Sequence, residues 1–286
     1  MKLIADCGST TTKWAMVGDS GAIVEQFTSP GMNASLLSPD DLHTTLLCSL
    51  PSSRRAQEID TVHFYAAGCR TGAQRATIAD ALGAVYPKAR IYVDGDLIAA
   101  ARALCGHNEG IACIMGTGSN CCLYSPDNGG RIVRSISPLG YVLGDEGSGS
   151  AIGRRLVADA LRGILPDDLC QAVMQFAGTD ATGIIEHIYR RHDANRFLAS
   201  FARLASDHID RPEIEAIVDG CFDAFIERNL MLLPGYDTLP IGFCGSIAAN
   251  FTPRLEAALA RHGLKASDIV ASPMHGLIQY HACRQK

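Results

Sequence analysis

Several things are missing from this sequence, and each absence excludes a class of protein. No basic cluster offsets the net charge of −5, so neither nucleic acid nor an anionic membrane is expected as a partner. The densest basic stretches, Arg54-Arg55 and Arg190-Arg191, read as solvated faces. No uninterrupted apolar run approaches the roughly 20 residues that span a bilayer. The opening Met-Lys-Leu-Ile-Ala-Asp is too short in its apolar part for a signal peptide, so a cytoplasmic protein is expected. The eleven cysteines include no C-x-x-C, and most sit in apolar runs, as Cys113, Cys121, Cys122 and Cys244 do. Such thiols act as small buried hydrophobes in a reducing compartment, which excludes a disulfide scaffold. The nine histidines form no H-E-x-x-H. Neither G-x-x-x-x-G-K-[ST] nor G-x-G-x-x-G after a strand occurs, so the usual nucleotide signatures do not apply.

What is present suits a globular enzyme. The chain has 286 residues, 47% hydrophobic and 19% charged, enough for a packed core and about two domains. Its most informative feature is a glycine turn that occurs twice. The apolar run Lys2–Ala5 is followed by Asp6-Cys7-Gly8-Ser9-Thr10-Thr11-Thr12-Lys13, and Ile111–Met115 by Gly116-Thr117-Gly118-Ser119-Asn120. Each reads as strand, tight turn, strand. Glycine lets the backbone approach a phosphate, and amide and hydroxyl groups supply the donors.

Strands are expected at Lys2–Ala5, Thr11–Val17 and Ala22–Phe27, with a hairpin at Gly18–Gly21 and a loop from Thr28 to Asn33. A helix is expected from about Ser38-Pro39. Strand Thr61–Ala66, helix Thr71–Leu82, strand Arg90–Val93 and helix Asp96–Leu104 complete a βββαβαβα order. The second half restarts with strands Ile111–Met115, Asn120–Tyr124 and Arg131–Ser135. Ser148 to Leu233 is mostly helical, broken at Pro166, Gly178–Gly183 and Arg211-Pro212. Strand Leu239–Phe243, helix Ile247–His262, strand Asp268–Val270 and helix His275–Cys283 follow. The repeat is one of pattern only. It favours an α/β fold with mixed sheets, and the polar, Gly-rich Cys105–Gly110 is the expected boundary.

Two further stretches carry possible chemistry. Gly242-Phe243-Cys244-Gly245-Ser246 reads as a strand, a glycine turn and a helix start that could set flat backbone against a base ring. Pro138–Ser150 places Asp145 and Glu146 among glycines just before a helix, where acids also suit the helix dipole.

At these residues the chain resembles the sugar kinase/heat-shock ATPase/actin superfamily. The run GTGSNC…GDEGS is most similar to the N-acetylglucosamine kinases and the acyl-CoA reductase/dehydratase-activating ATPases. The resemblance implies two ribonuclease-H-like lobes with a cleft between them: 1–106, with the last helix from about His275 packing back on it, and 107–274 with a helical insertion. It implies ATP and Mg²⁺ as cofactors, an amino sugar as substrate and a homodimer. By the family's pattern, Gly8, Ser9, Thr10 and Lys13 match the first phosphate turn, Thr117 and Gly118 the second, and Gly245 and Ser246 the adenosine site. Asp6 matches the carboxylate that holds Mg²⁺ through water. Asn33, Asn120 and Asp145 match sugar contacts, with Leu139 and Gly140 lining the same pocket. For the catalytic base, which also contacts the sugar, Asp94 and Asp96 are candidates. Asp96 is favoured because it directly precedes the helix and its Ala99-Ala100, although Gly95 departs from the polar residue that many members carry there. Two other outcomes stay open: an ATPase activating a partner reductase, with Cys105 and Cys113 near a shared iron–sulfur cluster, and a non-catalytic sensor or filament former.

Overall fold

A computed structural model describes residues 1–8, 11–18, 20–32, 40–41, 44–46, 58–69 and 71–282. In chain order the elements are β1 (Lys2–Cys7), β2 (Thr11–Val17), β3 (Ile23–Pro30), β4 (Thr61–Ala66), α1 (Gly72–Val85), β5 (Arg90–Gly95), α2 (Asp96–Cys105), β6 (Gly110–Met115), β7 (Ser119–Ser125) and β8 (Arg131–Ser135). They continue with α3 (Gly140–Leu143), α4 (Gly149–Leu161), α5 (Asp167–Ala177), α6 (Ala181–Arg190), α7 (Ala194–Asp207), α8 (Pro212–Arg228), β9 (Ile241–Cys244), α9 (Ser246–Asn250), α10 (Thr252–Arg261), β10 (Asp268–Val270) and α11 (Met274–Ala282). The helix expected from Ser38-Pro39 lies outside the described residues.

The chain divides into two compact units. One is Met1–Asn108 with Pro126–Arg131 and Pro273–Lys286, the other Glu109–Ser125 with Ile132–Ser272. The first sheet has the order β3-β2-β1-β4-β5 and the second β8-β7-β6-β9-β10. In each, the first strand pairs antiparallel with the second and parallel with the fourth. The fold is therefore α/β with two mixed five-stranded sheets of one topology, as the strand pattern predicts.

In the first unit β2 alternates only at its start: Thr12 and Trp14 are buried while Thr11 and Lys13 are exposed, and Ala15, Met16 and Val17 are all buried. The strand is thus covered on one face at the turn end and on both faces beyond it. Trp14 stacks on Phe27 at 5.7 Å and tilts against Phe64 at 5.5 Å. The expected loop at Thr28–Pro30 is instead the end of β3. Pro30 pairs with Thr11 on an edge strand, where a missing N–H is tolerated, and Trp14 Nε1 donates to Ser29 Oγ at 2.9 Å. Thr71 and Gln74 form a capping box at the start of α1. The last helix α11 contacts α2, β1 and β2, and Gly276 lets it lie against the Ala103 carbonyl.

A polar network joins these elements. Arg102 Nη1 donates to Tyr65 Oη and Asp94 Oδ2, both at 2.9 Å. Arg102 Nη2 reaches the Gly129 carbonyl at 3.3 Å, to which Tyr280 Oη also donates at 2.7 Å. His63 and His281 stack at 3.7 Å, and Tyr65 Oη lies 2.7 Å from His281 Nε2. Burial lowers His63 to about 4 and His281 to about 2, with Arg102 and Lys2 adding positive charge nearby.

The second unit has an apolar centre, with Arg254 and Arg261 paired to Glu215, Asp219 and Asp223 outside it. Phe201, Phe222, Phe225 and Phe243 are fully buried. Helix α4 packs closely on α7, and a side chain at Gly153 would overlap the Leu198 carbonyl. The helix expected over Ile247–His262 is two helices. Pro253 sits in the first turn of α10, and Phe251 (φ −112°, ψ 26°) breaks the run, since proline cannot continue a helix as a donor. A further break at His192-Asp193, between α6 and α7, carries no Gly or Pro signal.

Candidate functional site

In the first unit the candidate residues gather at the carboxyl end of the parallel strands. Gly8 follows β1, and its amide donates to Thr11 O at 3.0 Å, closing the first turn. A Cβ there would sit 3.3 Å from that same oxygen. Ser9, Thr10 and Asn33 lie outside the described residues. Asp6 is half-buried and stands opposite exposed Lys13 in the β1–β2 register, so the two side chains share one face. The register Cys7–Ala66–Gly95 sets Asp96, the next residue, two strands from Gly8, or about 10 Å at the usual strand spacing. The Cys7 thiol, pushed up to about 11 chiefly by burial, also feels the negative charge of both Asp6 and Asp96. The two carboxylates therefore act on one small region.

The two candidate bases differ in their partners. Asp94 is committed to a cation: Arg102 lies 2.9 Å from Oδ2 and Arg75 3.8 Å from Oδ1. Asp96, half-buried, opens α2 after Gly95 and accepts from the Leu97 amide at 2.9 Å. Neither aspartate lies in a cluster of three or more His, Cys, Asp or Glu that could hold a metal; there is none among the described residues. Magnesium does not need one, because it keeps waters and takes one or two carboxylates beside phosphate oxygens. A half-buried hard carboxylate at Asp6 fits that demand.

In the second unit three glycine motifs meet. The Gly116 amide donates to Gly118 O at 2.9 Å, closing the second turn. The first amides of α4 clamp that turn: Gly149 N–H donates to Gly116 O at 2.9 Å and Ser150 N–H to Thr117 O at 3.1 Å. Thr117 is exposed at its tip. Gly245 lies against the same place. At φ +129° its backbone is closed to L side chains, and a Cβ would overlap the Met115 carbonyl. Exposed Ser246 then starts α9. Chain segments 130 residues apart are thus brought together by bare backbone, the arrangement that a flat or anionic ligand requires.

Beside the second turn lies a pocket of about 400 Å³, within the usual range for small-molecule sites. Asn120, Leu139 and Asp145 line it, and Gly140 (φ +74°) starts the adjoining α3. Asn120 Oδ1 accepts from Cys121 N–H at 2.8 Å, which leaves its Nδ2 as a donor. Asp145 has φ 56°, an unusual conformation for a non-glycine that clusters at functional sites. Ser119 N–H reaches Asp145 Oδ1 at 3.4 Å, and a Cβ on Gly118 would stand 2.9 Å from Asp145 Oδ2.

Sequence reasoning leaves several lining residues without a role. Glu146 is held at Oε2 by Asn229 Nδ2 at 3.1 Å, and its carbonyl accepts from Ser119 Oγ at 2.6 Å. Asn229, buried at the end of α8, and Leu232 come from a segment with no local signature. The nine cysteines among the described residues are free thiols. Cys113 is fully buried within the second unit's apolar cluster, which gives it no access to a cluster shared with another chain. No helix among the described residues is long and apolar enough to cross a membrane.

No protein-family model matches the chain. It is similar to a protein of known structure from Porphyromonas gingivalis described as a putative N-acetylglucosamine kinase. The two are 41% identical, with 99% of each chain covered and a TM-score of 0.93. A second structure of that description, from Chromobacterium violaceum, is 21% identical with 98% of each covered and a TM-score of 0.75; at that distance the likeness shows the fold alone. Among curated proteins, an N-acetylmuramic acid/N-acetylglucosamine kinase of Clostridium acetobutylicum is 28% identical over 158 residues. That match spans 52% of this chain and half the length of the relative.

Proposed function

This chain belongs to the N-acetylglucosamine kinase family of the sugar kinase/heat-shock ATPase/actin superfamily, and we propose that it transfers the γ-phosphoryl group of ATP to the primary hydroxyl of an amino sugar, N-acetylglucosamine. The observation that carries the reading is the 41% identity over 99% of the chain. The convergence of the Gly116–Gly118, Gly149 and Gly245 backbones supports it.

Gly8, Ser9, Thr10 and Lys13, with Thr117 and Gly118, take the phosphates. Gly245 and Ser246 take the adenosine. Asn33, Asn120 and Asp145 hold sugar hydroxyls, with Leu139 and Gly140 beside them. Asp6 would hold Mg²⁺ through water, and the ion would supply charge neutralisation on the phosphate oxygens.

Asp96 is the base. It accepts the proton of the sugar hydroxyl as that oxygen forms its bond to the γ-phosphorus and the bond to ADP breaks. Two features favour it over Asp94: Asp94 is held by Arg102 and Arg75, and Asp96, which opens the helix, acts with Asp6 on one region. Phosphoryl transfer needs positioning and charge stabilisation more than covalent chemistry, and rigid turns with little side-chain bulk provide both.

The test is ADP release across a panel of hexoses and amino sugars, with a no-sugar control. Release that depends on N-acetylglucosamine is expected. Sugar-independent turnover would instead favour an ATPase that energises a partner.

A further inference from the structure

The pocket beside the second turn has two chemical characters. Asn120, Asp145 and Glu146 supply a donor and two carboxylates suited to sugar hydroxyls. Leu139, Leu143 and Leu232 line it too, and they are 59%, 74% and 54% exposed. Leucines left that open inside a polar pocket are uncovered apolar surface, and covering them releases water at little cost. A plain hexose offers hydroxyls alone. An N-acylated amino sugar offers hydroxyls and one apolar tail.

We propose that Leu139, Leu143 and Leu232 form a wall that reads the N-acyl group of the sugar, and that this wall accepts acyl chains longer than acetyl. The inference rests on the amino-sugar reading given above and deepens it. A site closed around one methyl group would bury its leucines. Here the three residues are more than half exposed, so a longer chain extends along them without meeting a cap among the described residues. A fully covered methylene is worth about fourfold in affinity. Against partly exposed leucines, about two- to threefold per methylene is expected.

The experiment is titration calorimetry of the full chain with glucosamine and its N-acetyl, N-propanoyl and N-butanoyl derivatives, in the presence of a non-hydrolysable ATP analogue. The same titrations are made with Leu232→Ser and Leu143→Ser, whose exposed positions leave the fold intact. Affinity is expected to rise about two- to threefold with each added methylene, and the increments are expected to disappear in both variants. Binding of the N-butanoyl sugar more weakly than the N-acetyl sugar overturns the proposal, as do increments that persist in the variants. Light scattering on the same samples gives a separate outcome: a dimer that dissociates in the variants assigns the leucines to a second copy of the chain and also overturns it. If the acyl series titrates but no sugar-dependent ADP is released, the kinase reading fails and the acyl wall stands. If no sugar binds at all, both fall.

Discussion

The two units share one strand order and hold it by different physics. The first relies on a polar network in which Arg102 ties β4, β5 and the Gly129 turn together while a neutral histidine pair docks the last helix. The second relies on close contact, with phenylalanines at its centre and glycines wherever backbone meets backbone. The difference teaches where each unit is vulnerable. In the first, protonation of the histidine pair loosens the last helix. In the second, a single methyl group at Gly153 pushes two helices apart.

The largest expected effect separates chemistry from scaffold within the first unit. Asp96→Asn should lower turnover about 10²–10⁴-fold with nucleotide binding retained and thermal stability close to wild type. Asp94→Asn should do the reverse, costing stability because Arg102 loses its carboxylate while most activity survives. Kinetics and melting curves on both variants decide this, and full activity in Asp96→Asn would remove that residue from the mechanism.

In the second unit, Gly153→Ala should cost about 3 kcal/mol, because the new methyl group overlaps the Leu198 carbonyl across the α4–α7 contact. Denaturant titration measures it. An unchanged midpoint would show that these helices slide apart freely.

Acid should weaken the first unit selectively. His63 and His281 are held below their ordinary value of 6.5 in the folded chain, chiefly by burial. The unfolded chain therefore binds more protons as pH falls. Their contribution is complete above about pH 6.5 and is lost as pH drops toward 4 for His63 and 2 for His281. The slope is at most about 1.4 kcal/mol per pH unit for each ring. The charges facing the pair, Lys2 and Arg102, are both positive and carry the loss to lower pH. Hydrogen exchange resolved by unit checks it, and equal acid sensitivity in both units would refute the contrast. The smallest effect is local: Thr71→Ala removes the capping box of α1 and should cost about 1 kcal/mol of stability.

What was legible in the sequence was local in the sequence. Glycine turns between apolar runs announce hairpins, so both three-stranded starts and the mixed character of the sheets could be read. The glycine motifs of the site could be read for the same reason, because their spacing lies within a few residues. Contacts made from afar could not. Asn229 and Leu232 reach the pocket from the end of α8, and nothing near them marks a site. Arg102 looks like an ordinary basic residue in the last turn of a helix, and only the fold brings Tyr65 and the Gly129 carbonyl to it. The extension of β3 through Pro30 was hidden because proline reads as a breaker, and only an edge position makes it acceptable.

The central claim is a transfer of phosphate to one hydroxyl of one sugar. Phosphorus-31 NMR of the full chain with ATP, Mg²⁺ and N-acetylglucosamine tests it most directly. A phosphomonoester signal coupled to the two protons on C6, growing as ADP appears and absent without sugar, is the expected result. Inorganic phosphate released at the same rate with and without sugar would contradict it.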